Sequence, residues 1–214
     1  MKIRTLLFTL GGCALASLPL AASPITFNFG GANQVVTSPH TFSAGSLAVT
    51  AYGLINNGNT SNNLYLKNTG ASEDGLGLAG TDDFEINPGQ RIVFDVSHLE
   101  SAGITGGTFT LGSLQSGELA QACYGTSFLD GLTCITGISG NSGSIGSIFV
   151  TWQNQPYVSF LTDPQQSNSS GNFLVETLQV NQPVTTPEPT TLVLFSTALL
   201  CLGWVTRQRW IRMR

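Results

Sequence analysis

The run "SIFVTWQNQPYVSFLT", Ser147–Thr162, decides the reading of this chain. Ile148, Phe149 and Val150, then Tyr157, Val158 and Phe160, stand among Ser and Thr in two short runs of strand-forming residues. Between them Gln153, Asn154, Gln155 and Pro156 are turn material. The same texture recurs in "ITFNF" (25–29), "SLAVTAYG" (46–53), "NLYLKN" (63–68), "RIVFDVS" (91–97), "GTFTLGSL" (107–114) and "FLVETLQV" (173–180). Each is rich in Val, Ile, Thr, Phe or Tyr, several alternate apolar with polar, and each is bounded by Gly, Asn, Ser or Pro. No window of a dozen residues in this region holds a 3.6-residue apolar period with helix caps. Eight strand candidates with Gly-rich turns predict an all-β fold, an antiparallel β-sandwich of jelly-roll-like type spanning residues 24–180. The polar stretches "INNGNTSNN" (55–63) and "TGISGNSGSIGS" (136–147) read as turns or loops at its edge.

Composition points the same way. The chain has 214 residues, enough for one ordinary domain with accessory segments. Only 9% of it is charged, against roughly 25% in a typical soluble domain, so its surface must be built from Ser, Thr, Asn, Gln and backbone. The formal charge of -4 hides an asymmetry, because six of the eight basic residues lie at the two ends. Between Pro24 and Pro187 only Lys67 and Arg91 face eleven acids, a balance of -9. That field argues against nucleic acid and anionic membrane surfaces as partners of the middle region.

The first 23 residues, "MKIRTLLFTLGGCALASLPLAAS", have a short basic start, an apolar stretch and small residues at the end, the pattern of a secretory signal peptide. Cleavage is expected between Ala16 and Ser23. "LGGC" ending at Cys13 faintly resembles a lipoprotein box, which leaves N-terminal lipidation as the alternative. Export then fixes the cysteines. With Cys13 in the signal and Cys201 in a terminal apolar run, Cys123 and Cys134 in "CYGTSFLDGLTC" remain, and in an oxidising compartment they are expected to form a disulfide around a short Gly-containing loop. A zinc site is the competing reading, but the spacing is not CxxC and neither His40 nor His98 is close in sequence.

The C-terminus has its own organisation. Residues 181–189 form a Pro/Thr linker, 190–206 a largely apolar segment expected to be a single transmembrane helix, and 207–214 a tail carrying Arg207, Arg209, Arg212 and Arg214. The uncharged part from Thr190 to Val205 is 16 residues long, somewhat under the roughly 20 that span a bilayer core. The Arg cluster with Trp204 and Trp210 is the kind of end that stays cytoplasmic, placing residues 24–187 outside. Pro187-Glu188-Pro189, then a short apolar helix, then an Arg cluster resembles the PEP-CTERM sorting signal of Gram-negative bacteria. The resemblance covers about 28 residues, and Thr191, Ser196, Thr197 and Cys201 depart from the usual Leu/Gly/Ala run. It implies processing by an exosortase after export through the inner membrane by the Sec machinery. It further implies delivery to the cell envelope, outer surface or extracellular space, and association with exopolysaccharide and biofilm.

For chemistry the middle region offers little. "GLGLAG" (Gly75–Gly80) fits GxGxxG, but "TDDFEINPGQ" follows it where a dinucleotide site needs a helix. Glu73, Asp74, Asp82, Asp83 and Glu85 crowd five acids into thirteen residues, so the loop is a candidate Ca²⁺ wrap, although its spacing matches no EF-hand. The stretch from Leu64 to Ser97 also resembles the "GLG…DEIN" segment of PEP-CTERM proteins. His40 and His98 lie in no recognisable motif, and GxSxG and HExxH are absent from the sequence. Asp82 and Glu85 could serve a glycosidase only in the weak sense that any two acids could, and no enzyme activity is expected. Trp152 and Tyr157, flanking the turn at Gln153–Pro156, are the candidate exposed aromatic pair for stacking on sugar. The functional expectation is a non-enzymatic, surface-sorted matrix protein. The alternative is a carbohydrate-binding module gripping exopolysaccharide, with or without Ca²⁺.

Overall fold

The structure is a computed structural model describing residues 23–70, 73–81, 83–140, 145–165, 171–183 and 195–200. The described residues between 23 and 183 make one compact unit, and the described residues 195–200, which are helical, belong to a separate one. The sandwich strands are β1 (Pro24–Asn28), β2 (Gln34–Val36), β3 (His40–Ala44), β4 (Leu47–Ile55), β5 (Thr60–Asn62), β6 (Leu64–Asn68), β7 (Asp74–Leu78), β8 (Arg91–Asp95), β9 (Gly106–Gly112), β10 (Leu119–Gly125), β11 (Thr133–Ser139), β12 (Gly146–Thr151), β13 (Tyr157–Thr162) and β14 (Leu174–Asn181). One short helix, α1 (Ser97–Ser101), follows β8.

These strands form two antiparallel sheets. In the first the order is β12-β9-β14-β7-β6-β2, with β1 also pairing β14. In the second it is β11-β10-β13-β8-β4-β3, with β5 also pairing β4. The quoted run Ser147–Thr162 thus feeds both sheets, since β12 lies in the first and β13 in the second. Alternation does the sorting. Phe109 and Leu111 of β9, Phe94 of β8, Val158 and Phe160 of β13 and Leu178 and Val180 of β14 point between the sheets, with their strand neighbours on the far side. Phe94, Phe109 and Phe160 meet at ring-centroid distances of 4.7–6.0 Å. Each such buried ring contributes roughly 1.5–3 kcal/mol.

All eight predicted runs are strands, and the all-β sandwich stands. Six further strands, β2, β3, β5, β7, β10 and β11, were not expected. Two of them occupy ground read as loop: β5 inside "INNGNTSNN" and β11 running into "TGISGNSGSIGS". The reason is local: β11 is largely exposed, so its sequence carries little apolar signal and its conformation comes from ladder bonds to β10. Ser97, expected to end a strand, begins α1, where Asp95 Oδ1 accepts a hydrogen bond from its N–H at 2.9 Å. Among the described residues no helix is long and apolar enough to cross a membrane. The signal segment before Ser23, Pro187, Glu188 and Pro189, and Arg207, Arg209, Arg212 and Arg214 lie outside the described residues.

Candidate functional site

The "GLGL…DFEIN" region is where sequence and structure meet most closely. Leu76 and Leu78 of β7 face the core, so Gly75 and Gly77 open the other side of the strand. The segment after β7 lies directly on that side: a Cβ built at Gly77 would come within 1.9 Å of the Phe84 carbonyl oxygen, and one at Gly75 within 2.9 Å of the Val175 oxygen. The first two glycines of this GxGxxG match, Gly75 and Gly77, therefore admit backbone rather than a phosphate, while Gly80 takes a positive φ in open space. Phe84 stacks on Tyr65 of β6 with centroids 4.0 Å apart and planes 15° apart. Ile86 then bridges to Phe173, its N–H donating to the Phe173 oxygen at 2.8 Å.

This crossing buries a charge centre. Lys67 is 8% exposed and Glu85 3% exposed, and Lys67 Nζ donates to Glu85 Oε1 at 2.5 Å. Ser113 Oγ donates to the same oxygen at 2.9 Å, and Glu73 Oε2 lies 3.4 Å from the ammonium. Burial works against the Lys67 charge, but Glu85 and then Glu73 outweigh it and hold its pKa above the ordinary value. Burial pushes the Glu85 carboxyl up, with Lys67 and Ser113 pulling the other way. Glu85 Oε2 is buried without a hydrogen-bond partner among the described residues.

Asp74 and Asp83 of the proposed calcium loop are taken up by amide donors. Asp74 Oδ1 accepts from the Gly70 N–H at 3.1 Å. Asp83 Oδ1 accepts from the Glu85 N–H and from Asn87 Nδ2, and Oδ2 from Asn172 Nδ2. Burial opposes the Asp83 charge, yet those donors hold its pKa below the usual carboxylate value. Asp82 lies outside the described residues. Among the described residues no three His, Cys, Asp or Glu side chains converge as a metal set, and the cation bonded to Glu73 and Glu85 is Lys67.

Glu176 is a residue the sequence did not single out. It sits on β14 at the bulge between Val175 and Thr177, and its Oε1 is buried without a hydrogen-bond partner among the described residues. Burial, and then the charge of Asp74, push its pKa up to about 7. In sequence it is one polar residue inside "FLVETLQV", and only the bulge and the approach of β7 give it that environment.

The aromatic pair is corrected in part. Trp152 is fully buried, its ring edge-on to Phe109 and its Nε1 donating to the Ile104 oxygen at 2.9 Å. It is a core residue and cannot stack on a sugar, because its indole N–H and its faces are already used. Tyr157 is half-buried and meets Phe128 edge-on at 5.4 Å, and Phe128 meets Tyr52 at 4.9 Å. Phe128 belongs to the loop between β10 and β11, whose base is closed by the Cys123–Cys134 disulfide across directly paired residues, Cα atoms 4.0 Å apart. The expected disulfide is present, and the loop it closes folds back over β4 and β13. His40 packs on Phe42, and His98 lies in α1. Compared with protein-family models, curated proteins and solved structures, the chain matches none.

Proposed function

We propose that the chain is an exported, non-enzymatic β-sandwich protein that an exosortase processes at its PEP-CTERM tail and that works in the exopolysaccharide matrix or at the outer surface of the cell. The observation that carries this reading is the Cys123–Cys134 disulfide, a bond that suits an oxidising compartment outside the cytoplasm. The extent of the sandwich supports it as well: the compact unit closes at Pro183, so processing near Pro187 would leave every core strand in place. In this reading residues 190–206 hold the precursor in the inner membrane, with the Arg tail in the cytoplasm, and the sandwich is jelly-roll-like.

The test is intact mass of the protein recovered from culture fluid and from membranes, in cells with and without their exosortase. The expected product ends near Pro187 and appears only when the exosortase is present. A full-length C-terminus kept in the membrane of both strains would make the tail a plain anchor and remove the sorting reading.

A further inference from the structure

Phe149 is the most exposed large apolar side chain of the described sandwich, at 61%. It lies on the outward side of β12, between the inward-facing Ile148 and Val150. The ring rests close over β9, because the missing side chain at Gly106 leaves room for it: a Cβ there would come within 3.0 Å of Phe149 Cζ. Beside the ring opens a shallow cleft of about 250 Å³ lined by Thr105, Gly106, Thr151, Asn181 and Pro183. That is below the roughly 300 Å³ at which pockets for whole ligands begin, so it suits one ring of a longer chain. By alternation Thr108, Thr110, Thr177 and Gln179 continue the face across β9 and β14. None of these four or of the cleft lining is charged, in a region whose balance is -9, and Glu176 stands next to Thr177 at the bulge.

An exposed aromatic ring framed by hydroxyl and amide groups, and by no charge, has the chemistry of a sugar: apolar C–H faces for the ring, hydroxyls for the rim. An anionic polymer would meet an acidic domain and no cation on this face. We propose that Phe149, flanked by Thr151 and Asn181, is a stacking subsite for a neutral hexose polysaccharide. The inference deepens the matrix reading and rests on it only for where such a polymer is met. It moves the aromatic contact from Trp152, which the core has taken, to the ring three positions earlier on the opposite side of the strand.

The test is affinity electrophoresis of the exported protein, purified from culture fluid, in native gels containing hydroxyethylcellulose, dextran or galactomannan, with alginate as the anionic counterpart. At least one neutral polymer should retard the protein. Phe149→Ala should weaken that retardation about tenfold, Phe149→Trp should preserve it, and neither should shift the unfolding temperature. No retardation in any of the three neutral gels would overturn the proposal, as would retardation indifferent to Phe149→Ala or retardation by alginate alone. A shift in a polymer-free gel that Phe149→Ala abolishes would instead make the ring a contact between copies of the chain, and would overturn it too. Because binding is read on purified protein, its failure leaves the sorting reading to stand or fall on the mass measurement.

Discussion

Lys67 and Glu85 meet at 2.5 Å although 18 residues separate them, and both are almost wholly out of solvent. Such a pair locks the crossing segment onto β6, because without Lys67 the buried Glu85 keeps only the Ser113 hydroxyl, and without Glu85 the ammonium keeps only the more distant and more exposed Glu73. Lys67→Met should therefore destabilise the sandwich by about 3–5 kcal/mol. The double variant Lys67→Met with Glu85→Leu should recover most of that loss. Urea unfolding of the four species gives the coupling directly, and equal, additive losses would show that the pair is not a lock.

Gly77 makes a second, steric prediction. A Cβ at this position would stand 1.9 Å from the Phe84 oxygen, a distance that side-chain motion cannot relieve because the obstacle is backbone. Gly77→Ala should cost at least about 1–3 kcal/mol and should detach Phe84 from Tyr65. Thermal unfolding read by tyrosine fluorescence would register both effects, whereas Gly45→Ala, with nothing within 4 Å of the new Cβ, controls for open space but adds the strain of its positive φ.

Glu176 sets a pH dependence. Its carboxyl titrates at about 7 in the fold, burial being the larger cause and Asp74 the second, while an unfolded glutamate titrates near 4.3. The folded state thus holds the proton more tightly, so this group's contribution declines as pH rises from about 4.5 to 7 and is restored on acidification. Glu176→Gln should flatten the decline, raising stability at pH 8 by on the order of 1 kcal/mol after allowance for solvent screening, and changing little at pH 4. Unfolding midpoints of both proteins across that range decide the matter. A parallel pair of curves would locate the titration elsewhere.

The disulfide closes a 12-residue loop from Cys123 to Cys134. On the loop-entropy model, replacing both cysteines with Ser should cost about 2–3 kcal/mol. Because Phe128 packs on Tyr52 and Tyr157, reduction should also increase the solvent accessibility of those tyrosines. Acrylamide quenching before and after a reductant measures this. Unchanged quenching would mean that the loop holds its place through Phe128 without the cross-link.

How much of this was legible in the chain depends on how local its cause is. Alternation over 5–8 residues is a local signal, so the eight runs and the all-β class could be read directly, while the meeting of Phe94, Phe109 and Phe160 emerged only with the two sheets face to face. The cysteine pairing could be read too, since with Cys13 and Cys201 assigned to the two terminal apolar runs only two thiols remain to pair. The marginal strands could not: β11, mostly solvent-facing, exists because β10 offers it a ladder. The fate of single residues lay further out of reach. Trp152 and Phe149 stand three positions apart on one run of similar residues, and only the direction each one takes, Trp152 just after β12 inward to Phe109 and Phe149 on β12 outward over Gly106, makes one core and the other surface. The acids behave alike. Sequence placed Glu73, Asp74, Asp82, Asp83 and Glu85 together as one loop, while the crossing of β7 by the segment around Phe84 carried Glu85 inward to Lys67 and Ser113 and left Asp74 beside Glu176. Composition and periodicity therefore determined the architecture, because burial of alternate side chains is repeated along every strand. Tertiary structure decided the charges and the exposed ring, because each depends on one neighbour brought from far along the chain.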